Sequence, residues 1–155
     1  MSGSAATVRR WPTVLALLIS AAAAAASAWV ALGVFEGLPH LEDEIAFLWE
    51  ADVMADGEIY LASPPSPHSF LVPFVVDHEG RRFGKYPPGW PAALSLGARA
   101  GAPWAVNPLL AGLGVWLIYR LGSRVAGQWI GVLAAALAAS SPNLLMLSGS
   151  LMGHA

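Results

Sequence analysis

The acidic side chains of this chain are confined to one window. All ten lie between Glu36 and Glu79, and the long apolar tracts on either side contain none. The first tract, Thr13 to Phe35, has no charged residue of either sign. At 1.5 Å rise per residue, a helix of that length covers a hydrocarbon layer of about 30 Å. A chain sorted in this way is expected to cross a bilayer and to carry its polar chemistry in one loop. Arg9 and Arg10 precede the tract, whereas Glu36, Glu42, Asp43 and Glu44 follow it. The basic end is therefore expected in the cytoplasm and the acidic end outside.

A cleaved signal peptide is the competing reading, with Arg9 and Arg10 as its basic start and the Ala21–Ala26 run as a source of small-residue cleavage sites. Its apolar region would normally stop after about 7–15 residues. Here it continues through Trp29, Val30, Leu32, Val34 and Phe35. The composition agrees with a membrane chain: 56% of residues are hydrophobic and 12% charged, against about 25% charged in soluble domains. No basic patch points to nucleic acid. Without cysteine there is no disulfide, no thiolate metal site and no lipoprotein anchor.

A second charge-free tract runs from Trp104 to Tyr119 and closes in Arg120 and Arg124, so it is expected to return to the cytoplasmic side. A third, Val125 to Ala139, leads outward again to Ser140, Ser141 and Pro142, where proline favours a break. Gly127, Gly131 and Ala135 place small residues four apart, which lets a neighbouring helix approach closely; the abundance of glycine and alanine here explains the same spacing equally well. The expected organisation is an all-α membrane protein. It has a cytoplasmic terminus at 1–12, spans at 13–35, 104–121 and 125–141, and an external loop at 36–103. Residues 142–155 are the outer start of a further element, as in a fragment of a larger polytopic bundle.

The loop is too long for a simple connection. Residues 43–56 read as a helix, with acids in the first turn opposing the macrodipole and Gly57 as its stop. Ile45, Leu48, Trp49 and Val53 share one side, expected to rest on the membrane surface. Pro64, Pro65 and Pro67 keep the next stretch irregular. Phe70–Asp77 and Arg81–Tyr86 then flank His78-Glu79-Gly80 as a small hairpin. Residues 91–100 form a second interfacial or re-entrant helix, too short to span and carrying Arg99.

An Asp43-Glu44 pair opens a short helix just outside the first span. The segment from Lys85 to Pro91 (Lys-Tyr-Pro-Pro-Gly-Trp-Pro) follows, and then an Asn107-Pro108-Leu109-Leu110-Ala111-Gly112 helix closes in arginine. In this order and spacing, residues 12–155 resemble the N-terminal region of GT-C membrane glycosyltransferases, nearest the protein O-mannosyltransferase and lipid A aminoarabinose transferase branches. The resemblance implies inverting transfer of a sugar from a polyprenyl monophosphate donor to an acceptor at the external face. The setting it implies is an integral membrane protein, most naturally of a bacterial inner membrane, whose remaining helices complete the enzyme. Asp43 matches the acid that accepts or holds the acceptor proton, with Glu44 in support. Lys85 matches a lysine near the donor phosphate, and Arg81 and Arg82 are neighbouring candidates for it. Aminoarabinose-type relatives carry an acid immediately before that lysine, where this chain has Gly84, so a divalent metal stays open. His154 falls in a segment that recurs in some bacterial members. His40, His68 and His78 lack metal-ligand spacing, and Trp49 and Trp90 are expected to act as interfacial anchors.

A different class also accounts for the helices: a non-enzymatic membrane module, either a transporter fragment or a scaffold, whose external loop binds a partner. It leaves unexplained why Asp43-Glu44, Lys85 and Pro87-Pro88-Gly89 share one loop.

Overall fold

Along the long helices most leucines point outward, and the buried positions are filled mainly by small residues. The computed structural model describes residues 10–153; the expected N-terminal arginine Arg9 and His154 lie outside them. The first helix, α1 (Trp11–Gly33), buries Pro12, Ala16, Ser20, Ala23, Ser27, Val30 and Ala31. Its Leu18 and Trp29 are more than half exposed, as are Leu113, Leu121 and Leu137 on later helices. A water-soluble protein does the reverse. Small residues on the buried face let backbones approach, which is how helices associate when their surroundings are as apolar as leucine.

The second long helix, α4 (Val106–Ala126), packs along α1 with Ala111, Gly112, Val115 and Tyr119 inward. It starts after a 3-10 turn at Pro103–Ala105 and passes beyond Arg120 and Arg124 before Gly127, at φ +98°, ends it. The Tyr119 hydroxyl and the Thr13 hydroxyl lie 2.9 Å apart, joining the last turns of α4 to the first of α1. The two helices α1 and α4, the latter counted with its 3-10 turn, are long and apolar enough to cross a membrane.

The third tract departs from expectation. It forms two pieces, α5 (Gln128–Ala139) and α6 (Pro142–Gly149), bent by 60° at the break, which together are long and apolar enough for one broken span or a re-entrant pair. Val125 and Ala126 belong to α4, because the chain reverses at Gly127. Of the small-residue stripe, Gly131 and Ala135 are buried while Gly127 makes the turn. A Cβ on Gly131 would sit 2.6 Å from the Tyr119 carbonyl and 2.8 Å from the Ser123 amide, so α4 and α5 cross in near backbone contact. Pro142 opens α6, where its missing N–H falls on a position that has no intrahelical partner, and Ser141 caps it by accepting from the Leu144 amide. Residues 142–149 thus pack back against α1. Trp129 borders Trp11 and Val14 at the start of α1, and Gly149 lies against Val30 near its end. Together α5 and α6 run nearly the length of α1.

The segment between α1 and α4 forms a folded layer. Helix α2 (Glu42–Ala55) packs against α3 (Gly89–Arg99) around Phe47, Ala51, Leu94 and Leu151. Of the stripe expected to face a membrane surface, the buried side of α2 takes in Val53 and leaves Ile45, Leu48 and Trp49 outside the core. Ile45 is exposed and Leu48 and Trp49 are half-buried, whereas Glu44, Phe47, Glu50 and Ala51 are buried. Arg99, in the last turn of α3, donates from Nε to the Ala55 carbonyl at 2.8 Å and so satisfies an end group of α2.

Beside them lies a three-stranded antiparallel sheet, which makes the fold mostly helical and not all-α. Strand β2 (Val75–His78) and strand β3 (Arg81–Gly84) pair as a hairpin, with Val75 opposite Gly84 and His78 opposite Arg81. The two-residue turn, Glu79 at φ +50° and Gly80 at φ +76°, has the left-handed pair that suits the twist of a tight hairpin. A two-residue strand, β1 (Leu61–Ala62), joins the other edge of β3. It was not visible in the sequence, since two residues carry no alternation.

Candidate functional site

Asp43 lies in the first turn of α2, half-buried, and its Oδ1 accepts a short hydrogen bond from the Tyr86 hydroxyl. That bond, followed by desolvation and the adjacent negative charge, raises the Tyr86 phenol above its ordinary range. Phenol and carboxylate thus form a donor–acceptor pair in which the proton stays on tyrosine. The Tyr86 ring is fixed by Phe47 on α2, 5.0 Å away, and by Phe74, 5.6 Å away. Lys85 is exposed and holds its ammonium 4.5 Å from the Phe74 ring and 5.3 Å from the Tyr86 ring. Its amide also donates at 2.9 Å to the carbonyl of Phe74, whose φ of +56° is unusual for a bulky side chain. The structure thus brings Asp43 and Lys85 together through Tyr86, whose role the sequence reading missed. Its signal there was only adjacency to Lys85.

Glu44 does something else. It is 2% exposed. Its Oε2 accepts from the amides of His40 at 2.6 Å and Leu41 at 3.1 Å, and its Oε1 from the amide of Leu151 at 2.9 Å. Leucine at the N-cap has no side-chain acceptor, so only the glutamate half of a capping box exists. The buried charge is met by three backbone donors, which ties the head of α2 to the turn after α6.

The two arginines separate by strand alternation. Arg82 is buried at 8% exposure beneath the Trp49 ring, donates to the Phe70 carbonyl and lies 3.7 Å from Asp77. These contacts hold it in the layer and leave little of it for a phosphate. Arg81 is exposed, with its guanidinium 4.9 Å over the Tyr60 ring. It borders a pocket of about 450 Å³ that also includes Glu50, Tyr60, Phe83, Gly84 and Tyr86.

Glu50 reaches the backbone of β3 where Gly84 leaves room. A Cβ on Gly84 would fall 2.6 Å from the Glu50 carboxyl carbon. Burial raises the Glu50 carboxyl above the usual range. Among the described residues no group of three or more His, Asp or Glu side chains is placed to hold a metal ion. Glu50 is a single carboxylate beside Gly84, and it does not make a ligand set for a divalent ion. Among the remaining histidines, His40 bonds its own loop through the Leu38 carbonyl at 2.9 Å, and His78 sits 3.7 Å from the exposed Glu79.

No protein-family model, curated protein or solved structure matches this chain.

Proposed function

We propose that this chain is the N-terminal part of an integral membrane glycosyltransferase of GT-C type, with Asp43 as its base. The outward-facing leucines and tryptophans and the small-residue helix contacts support placement in a bilayer. Arg120 and Arg124 at the end of α4, with no acid in that part of the chain, support a cytoplasmic N terminus and an external loop.

The observation that carries the reading is the Asp43–Tyr86–Lys85 grouping at the head of α2. The acceptor hydroxyl attacks the anomeric carbon of a polyprenyl monophosphate sugar from the face opposite the phosphate. A carbon–oxygen bond to the acceptor forms as the bond to the phosphate oxygen breaks, inverting the centre. Asp43 takes the hydroxyl proton, which requires hydrogen-bond reach of the attacking oxygen. Polyprenyl phosphate leaves with the bonding electron pair, and the Lys85 ammonium offsets its charge. Tyr86 is the positioning residue: it holds one carboxylate oxygen and leaves the other for the acceptor. Glu44 fixes the helix that carries Asp43.

The test is transfer from a panel of polyprenyl phosphate sugars by the full-length protein. Asp43→Asn is expected to abolish product while membrane insertion is retained, and wild-type turnover by that variant overturns the assignment.

A further inference from the structure

Glu50 is a buried residue whose carboxylate receives no donor from the protein. It is 5% exposed, and among the described residues no side chain or backbone group hydrogen-bonds to it. Glu44, one turn and a half earlier on the same helix, is equally buried but has three amide donors. With no protein donor, the Glu50 carboxylate opens onto solvent through a pocket it lines, and the partial desolvation there raises its pKa. It persists at the wall of an open pocket of about 450 Å³, within the range of about 300–1,000 Å³ typical of small-molecule sites.

The other walls define what fits. Tyr60, Phe83 and Tyr86 supply flat apolar faces, and Arg81 supplies donors at the rim, stacked on Tyr60. The protein offers an acceptor at Glu50 and brings no donor to it, so the ligand must carry hydrogen-bond donors. One carboxylate and one guanidinium balance, which disfavours an ammonium beside Arg81 and a second anion beside Glu50. We propose that this pocket binds a neutral polyhydroxylated ring, with adjacent hydroxyls donating to Glu50, an apolar ring face on the aromatic walls, and Arg81 donating to a rim oxygen. Tyr86 is shared between the pocket and Asp43. Asp43 does not itself line the pocket, so Tyr86 is the link between a sugar seated here and the base; the sugar's assignment as the acceptor of the transfer rests on the transferase reading, whereas binding does not.

Gly84 belongs to the same device. Any side chain at 84 collides with the Glu50 carboxylate, so Gly84→Ala displaces the acceptor without removing it. The experiment uses the full-length protein in lipid nanodiscs, free of sugar-based detergent, with saturation-transfer NMR on methyl α-glucopyranoside. Glucosamine and glucuronate serve as cationic and anionic counterparts. The neutral glycoside is expected to bind at least fivefold more tightly than either. Glu50→Gln and Gly84→Ala are each expected to weaken it about tenfold, the scale of exchanging a charged for a neutral acceptor. Glu50→Gln is expected to melt at or above the wild-type temperature, because it removes a charge that partial desolvation penalises. Unchanged binding in both variants, a preference for glucosamine, or a lower melting temperature for Glu50→Gln overturns the proposal. Binding is read without donor or turnover, so it stands or falls separately from the Asp43→Asn transfer test.

Discussion

Glu44→Ala removes the acceptor of three backbone donors at once, and the structure sets the size of the effect. A hydrogen bond to a charged acceptor contributes about 1.5–3 kcal/mol, and donors that water reaches recover most of that. The Leu151 amide is buried and the His40 and Leu41 amides are half-buried. The first then accounts for about 2–3 kcal/mol and the other two together for about 1–2, a loss of about 3–5 kcal/mol. The tie to Leu151 crosses 107 residues of sequence, so its loss frees the end of α6 from the head of α2. Hydrogen exchange is the direct assay. The Leu151 amide is expected to exchange about 100-fold faster, from its own 2–3 kcal/mol share at 1.4 kcal/mol per tenfold. Amides in the middle of α1 are expected to keep their protection. Glu44→Gln is expected to fall between wild type and alanine, because one of its two amide atoms accepts and the other opposes a donor. Unaltered exchange at Leu151, or equal loss along α1, refutes the role of Glu44 as a tie.

Three further outcomes follow from the geometry. Tyr86→Phe keeps the ring contacts with Phe47 and Phe74 but removes the donor to Asp43. Transfer is expected to fall about 10–100-fold with the melting temperature little changed, and full activity contradicts the positioning role. Gly131→Leu drives a side chain into the Tyr119 carbonyl and Ser123 amide; a loss of about 1–3 kcal/mol is expected, and an unchanged melting temperature contradicts the close crossing of α4 and α5. The Glu50 carboxyl is raised by burial, so above the ordinary glutamate range the unfolded chain gives up its proton first and the native state holds more protons. This group's contribution to stability therefore falls as pH rises from about 4.5 through the raised value. Melting temperatures of wild type and Glu50→Gln measured across that window are expected to diverge as pH rises, and parallel curves contradict the assignment.

The long helices were legible because charge exclusion over a spanning length has few other meanings: α1 and α4 follow the tracts before Glu36 and before Arg120. The hairpin turn was legible in Glu79-Gly80, since the local pattern alone selects it. The break at Pro142 was legible too, but not its consequence. Which way a chain turns after a proline depends on the surface it meets, here Val30 and the end of α1. The buried face of α2 was not legible for a related reason. A stripe of Ile45, Leu48 and Trp49 looks apolar in isolation, yet Phe47 and Ala51 face α3, and Glu44 and Glu50 go in with them. Both carboxylates sit on the face that carries Phe47 and Ala51, which was the one available hint that they are not solvent charge. Tyr86 bonds Asp43 across 43 residues, a relation set by how α2 meets the residues after β3, which periodicity does not encode.

In the proposed enzyme Asp43, Tyr86 and Lys85 face the outside while the end of α4 faces the cytoplasm. Single cysteines can be placed at the exposed positions Glu79 and Arg124 in the full-length protein, with any cysteine outside these residues replaced by serine, and labelled in intact cells with a membrane-impermeant maleimide. The account predicts that position 79 reacts at once and position 124 only after permeabilisation. Labelling of position 124 in intact cells, with position 79 protected until lysis, contradicts it.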